Sequence, residues 1–84
     1  MKKTFKDFLV LLRTKTGYYL NSRYEVEVDT EDLHEEVYRC ANSLSGKIAF
    51  DLFCSGHEDA PEIDVVADLA AYKLAYPVFE EEEI

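Results

Sequence analysis

The chain has 84 residues, of which 18 are acidic and 9 basic, for a formal net charge of −9; it is 48% hydrophobic and 32% charged. That length accommodates one small domain and excludes a second, and the apolar content is too high for a disordered chain. The charge is uneven, with Lys2, Lys3, Lys6, Arg13, Lys15 and Arg23 against Asp7 alone in residues 1–24, and seventeen acids against Arg39, Lys47 and Lys73 in residues 25–84.

The acidic part repels nucleic acids and anionic membranes and attracts basic protein surfaces, so neither direct nucleic-acid binding nor membrane binding is expected. Met1 reads as the start of an intact chain. The apolar run from Phe8 to Leu12, with Asp7 before it, is too short for a signal-peptide core, and no segment is long enough to span a bilayer. Cys40 and Cys54 are then expected as reduced thiols in a cytoplasmic protein.

In chain order, Thr4 is placed to cap a first helix in which Phe5, Phe8, Leu9 and Leu12 recur at i, i+3, i+4 and i+7, with Arg13 and Lys15 in its last turn and Gly17 as its stop. Val10 and Leu11 widen the apolar stripe, which makes Phe8, Val10 and Leu11 the candidates for a homodimer contact. From Tyr18 to Asp29 the period changes to two, the pattern of a half-buried strand best defined over Tyr24 to Val28, with a turn or bulge at Asn21 and Ser22. Asp29 or Thr30 then caps a second helix whose inner face is Leu33, Val37, Cys40, Ala41 and Leu44, stopping at Ser45 and Gly46. Its other face carries Glu31, Asp32, Glu35 and Glu36 in two adjacent rows. Like charges at i and i+4 cost a few tenths of a kcal/mol each, so helix stability does not account for them.

Lys47 to Cys54 alternates again and is read as a second strand, with a short helix over the same residues as the rival reading. After a loop at 55–59, Pro61 suits the first turn of a third helix with Ile63, Val66, Ala67, Ala70 and Leu74 inward, ended by Tyr76 before Pro77. Val78 and Phe79 could add an edge strand. The expected fold is therefore one α+β domain over residues 1–79, in the order α-β-α-β-α with a small two- or three-stranded sheet, followed by an acidic tail over 80–84. The alternative is an all-α bundle with an irregular arm at 18–28.

Catalytic signals are weak. Gly17, Gly46 and Gly56 lie too far apart for a phosphate-binding loop. Cys54 stands three residues from His57, but Glu58 and Asp59 beside them disfavour a thiolate. His34, Cys40, Cys54 and His57 are zinc-type ligands, yet six residues along one helix turn His34 about 240° away from Cys40. The acids lack the spacing and central glycine of a calcium loop. No enzyme, metal or cofactor is expected.

The surplus of carboxylates is the remaining functional signal. Duplex DNA carries about one charge per 1.7 Å of axis, and two neighbouring rows of acids on a rigid helix approach that density over a short patch. In size and acidity the chain is similar to small phage and plasmid inhibitors of restriction or CRISPR systems. The carboxylate density, with that likeness beside it, leads to the expectation of a non-enzymatic protein that blocks a nucleic-acid-binding partner by presenting Glu31, Asp32, Glu35, Glu36, Glu58, Asp59, Glu62, Asp64 and Asp68 to its basic surface. The alternatives are an acidic structural or interaction subunit without mimicry, and a small DNA-binding regulator using Lys2, Lys3 and Lys6. Six tyrosines and no tryptophan suit an interface that flanks an acidic patch.

Overall fold

A computed structural model describes residues 2–77. Among these residues there are four α-helices, α1 (Phe5–Tyr19), α2 (Thr30–Ala41), α3 (Leu44–Cys54) and α4 (Pro61–Ala75), one π-helical turn (Leu20–Tyr24), and no strand. The fold is all-α, which corrects the α+β expectation and its sheet. The suggested edge strand at Val78 and Phe79 and the tail at 80–84 lie outside the described residues.

α1 begins where its capping residues dictate. The Thr4 hydroxyl accepts from the Asp7 backbone N–H at 3.2 Å, and the Asp7 carboxylate accepts from the Thr4 N–H at 3.0 Å, a reciprocal capping box. The helix does not stop at Gly17, so Arg13 and Lys15 are not in its last turn. Helical structure instead continues into the π turn, because Leu12, Thr16 and Leu20, spaced four apart, are all buried on one line. That line overrides the period-two pattern read over Tyr18 to Asp29. The run is closed by Glu25, a non-glycine residue in the left-handed region (φ 53°, ψ 48°), and by the Val26 N–H bonding the Leu20 carbonyl at 3.1 Å. The remainder of the arm, up to Asp29, has no strand to pair with among the described residues, since the second expected strand is itself a helix.

That helix is α3. Its buried residues Gly46, Ala49 and Phe53 follow helical spacing, whereas Ile48 and Cys54, which alternation would put on one side with Phe50 and Leu52, are exposed. Ser43 explains the start. Its hydroxyl accepts from the Gly46 N–H at 3.1 Å as an N-cap and donates to the Cys40 carbonyl at 2.7 Å, closing α2 and opening α3 with one side chain. Only Asn42 and Ser43 separate the two helices, so α2 ends at Ala41 rather than near Leu44. Gly46 is thus no helix stop: it lies in the first turn of α3, against the end of α2, where a methyl group would collide with the Cys40 and Ala41 carbonyl oxygens.

α4 starts at Pro61 and ends at Ala75, with Tyr76 as its C-cap before Pro77, as the flanking prolines predict. Ile63, Val66, Ala67, Ala70 and Ala71 are buried along it, and it packs against α1, α2, α3 and the π turn. The Thr16 hydroxyl donates to the Ala67 carbonyl at 3.2 Å across the α1–α4 contact. Phe5, Phe8, Phe50 and Phe53 fill the space between α1 and α3 with ring centroids 5.3 to 6.2 Å apart.

Two glycines distinguish packing from propensity. Gly46→Ala is expected to lower stability by about 1–3 kcal/mol through overpacking. Gly17→Ala, at a helical position where an added methyl meets nothing within 4 Å, is expected to raise it by about 0.5–1 kcal/mol. Thermal unfolding should move in opposite directions for the two variants, by roughly 4–8 °C per kcal/mol in a domain of this size.

Candidate functional site

The nine acids singled out from the sequence occupy three places. Glu31, Asp32 and Glu35 are exposed on the first two turns of α2. Glu58 and Asp59, in the α3–α4 loop, and Glu62, in the first turn of α4, are exposed at the other end of α4. Asp64 and Asp68 lie along the side of α4 that meets α1 and the π turn. α2 starts near the end of α4, where Asp32, Glu35, Glu36 and Arg39 line a cleft of about 270 Å³ with Lys73, Leu74 and Pro77. The first two groups are therefore separated by roughly the length of α4, about 22 Å at 1.5 Å per residue.

Several of these acids are already engaged within the chain. Asp64 pairs with Lys15 at 2.8 Å, Asp68 with Arg23 at 3.2 Å, and Glu58 with Lys3 at 2.5 Å. Asp68 also accepts from the Tyr24 hydroxyl at 3.0 Å. Glu36, expected on the outer face of α2, is only 9% exposed, and it accepts from Arg39 at 2.5 Å and from the Cys40 thiol at 3.5 Å. Glu35 stands 3.8 Å from the other Arg39 amino group. Among the described residues, Glu31, Asp32, Asp59 and Glu62 make no such pair, and with Glu35 they form the outward-facing carboxylate set.

The expected dimer contact also divides. Phe8 is fully buried in the chain's own core and Leu11 packs against that core, so of the three residues only Val10, 51% exposed, presents itself outward.

Sequence reasoning missed a second face of α4. Val65, Leu69, Tyr72 and Tyr76 are all exposed, from 39% for Leu69 to 62% for Val65. Val65, Leu69 and Tyr72 recur at i, i+4 and i+7 on α4, opposite the buried face, and Tyr76 follows as the residue that caps the helix, with an extended φ of −129°. Tyr24 from the π turn flanks the stripe, with ring centroids 6.3 Å from Tyr72 and 5.9 Å from Tyr76, and the latter two rings are 5.2 Å apart. The spacing is present in the sequence, beside the inward period of Ile63, Val66, Ala67 and Ala70.

Among the described residues no three His, Cys, Asp or Glu side chains are placed to hold a metal ion. Cys40 is buried and Cys54 exposed, both as free thiols. Burial, then the charge and hydrogen bond of Glu36, push the Cys40 thiol up to about 11, which keeps it protonated and poorly nucleophilic. The groove at Leu52, His57 and Ala60, about 550 Å³, is rimmed by Glu58 and Asp59 and lies open at the α3–α4 loop. No helix among the described residues is long and apolar enough to cross a membrane.

Four groups hold their protons more tightly in the folded protein, and all four shift the same way. The hydrogen bond and charge of Asp64 raise the Lys15 ammonium, outweighing its partial burial. Burial raises the Tyr19 hydroxyl, and partial burial followed by the Asp68 hydrogen bond raises that of Tyr24. Cys40 is raised as described. A folded-state pKa above the unfolded one means a stability contribution that is complete below the ordinary values of 9.0 for the thiol, 10.0 for the phenols and 10.5 for the ammonium, and that is lost as pH rises through the folded-state values. Denaturant unfolding followed by circular dichroism should therefore show stability falling steadily above about pH 9; a flat or rising profile there contradicts these assignments.

Compared with protein-family models, with curated proteins and with solved structures, the chain matches none.

Proposed function

We propose that this protein is a non-enzymatic binding domain that occupies the basic surface of a nucleic-acid-binding partner, with its carboxylates standing where phosphates would. The observation that carries this reading is the exposed face of α2. Glu31, Asp32 and Glu35 project there from consecutive turns of a helix held by core packing at Val37, Cys40 and Ala41. A rigid helix presents its charges without paying the ordering cost of a flexible acidic segment. Asp59 and Glu62 supply a second anionic point at the far end of α4. The engaged acids Glu36, Glu58, Asp64 and Asp68 belong on this reading to the fold, which narrows the partner-facing set to five residues.

The reading of a DNA-binding regulator through the first helix is less well supported, because Lys3, one of its three lysines, is bound to Glu58. On this reading the protein acts in the cytoplasm, where such a partner works and where the free Cys40 and Cys54 would stay reduced.

The test is capture of nucleic-acid-binding proteins from host lysate after nuclease treatment, with the unaltered chain and with the triple variant Glu31→Gln, Asp32→Asn and Glu35→Gln. A nuclease, polymerase or CRISPR-type complex retained by the unaltered chain at low salt should be released by salt. Its affinity for the variant should fall by about tenfold or more, since close interfacial charge pairs contribute on the order of 1.5 kcal/mol or above. Equal retention of the partner by the variant would reject the mimicry.

A further inference from the structure

The segment 21–29, which leads from the π turn to the cap of α2, is held unlike the rest of the chain. None of its residues is buried, and Leu20, the buried residue just before it, stands outside the core cluster that Phe8, Leu12, Val37, Ile63 and Val66 build with their neighbours. Regions with few buried apolar contacts open at a lower free energy than the domain as a whole. The backbone here is also costly to hold. A π turn is rare and occurs mostly where a structure has a use for it, and Glu25 occupies the left-handed region (φ 53°) that residues other than glycine disfavour. Conformations of that kind persist only where surrounding contacts impose them.

Those contacts converge on one carboxylate. Asp68 of α4 accepts from the Tyr24 hydroxyl through one oxygen at 3.0 Å and pairs with the Arg23 guanidinium through the other at 3.2 Å. Arg23 lies over the Tyr19 ring, 4.3 Å from its centroid, on its way to that pair. Among the described residues no other side-chain hydrogen bond or ion pair joins 21–29 to another element; the rest of the hold is the Tyr24 ring against Tyr72 and Tyr76. We propose that the segment 21–29 is a strap, latched by Asp68, that opens and closes along the second half of α4 while the four α-helices stay packed. Closed, it keeps Arg23 and Tyr24 against α4. Open, it releases the Asp68 carboxylate and uncovers the side of the Tyr72 and Tyr76 rings that Tyr24 meets, so one movement alters both the charge and the apolar surface of α4. The strap does not depend on the mimicry assigned to α2, whose acids take no part in the latch.

The test is native-state hydrogen exchange of the full chain, followed amide by amide by nuclear magnetic resonance at low denaturant. The N–H groups of Glu25 and Val26 both donate to the Leu20 carbonyl and report the closed strap, while those of Val66 and Ala70 on α4 report the core. In the unaltered chain the strap amides should be protected, yet exchange about tenfold or more faster than the core pair and with little dependence on denaturant, because opening the strap exposes little surface. Asp68→Asn should speed the strap amides by about tenfold, the loss expected for hydrogen bonds to a charged group. Arg23→Gln combined with Tyr24→Phe removes the same two links from the other side and should reproduce that factor. Ile63→Val, at a fully buried site away from the strap, should speed the core pair by about two- to tenfold and leave the strap amides unchanged. A shared rate and denaturant dependence for the two sets of amides, or strap amides with no protection, would overturn the strap. Unchanged strap rates in Asp68→Asn would overturn the latch.

Discussion

The close approach of the other helices to α4 is the constraint on which the rest of the structure depends. Ala67, Ala70 and Ala71 are buried where larger side chains would hold neighbours away, and α4, like α1, packs against every other helical element. Small residues on a central helix let backbones come near enough for contacts such as the Thr16 hydroxyl on the Ala67 carbonyl. Close contact on one side leaves volume to be filled elsewhere. The four phenylalanines supply it between α1 and α3, where bulk rather than proximity is needed. α2 and α3 meet by a third device, a glycine at Gly46 beneath a serine that serves both helix ends.

The electrostatics follow the same geometry. Three of the cations concentrated in the first 24 residues are carried by α1 and its flanks to acids of α4 and the loop before it, through Lys3, Lys15 and Arg23. These pairs are partly exposed, and such pairs contribute at most about 1 kcal/mol each. Their larger effect is on the surface pattern. They neutralise Glu58, Asp64 and Asp68 in part, while Glu31, Asp32, Asp59 and Glu62 stand exposed without such a pair among the described residues.

Much of this was legible from the residues alone. The start of α1 after Thr4, the limits of α4 between Pro61 and Pro77, the inner face of α4 and, apart from Leu44, which is exposed at the start of α3, the inner face of α2 follow from capping chemistry, proline and period. The two expected strands fail for a shared reason. Short apolar stretches such as Lys47 to Cys54 satisfy alternation and a helical stripe at once, and which is realised depends on what packs against them. At α3 the decisive groups were Ser43 as a cap and Gly46 as a contact, neither of which contributes to hydrophobic period. At Tyr18 to Tyr24 the decisive fact was that Leu20 continues the line of Leu12 and Thr16, and a polar threonine is easily left out of an apolar tally. The acids were correctly seen as abundant, but pairing across the fold is invisible to composition. Glu36, read as surface, is covered because it turns inward with Cys40 to meet Arg39.

The side-chain links that tie α1 and its flanking residues to the rest of the molecule reach far along the chain: Lys3 to Phe53, Thr16 to Ala67 and Tyr24 to Asp68 join residues 50, 51 and 44 positions apart. α2 and α3, by contrast, are joined through a two-residue turn and can meet as a local hairpin. During synthesis from the N-terminus, the first helix is therefore completed long before its principal partner exists. Until α4 follows, the apolar face of α1 can be covered only by contacts with α2 and α3, and closure of the domain waits on its last helix. A chain interrupted ahead of Pro61 would lack not a peripheral element but one of the two helices that pack against all the others.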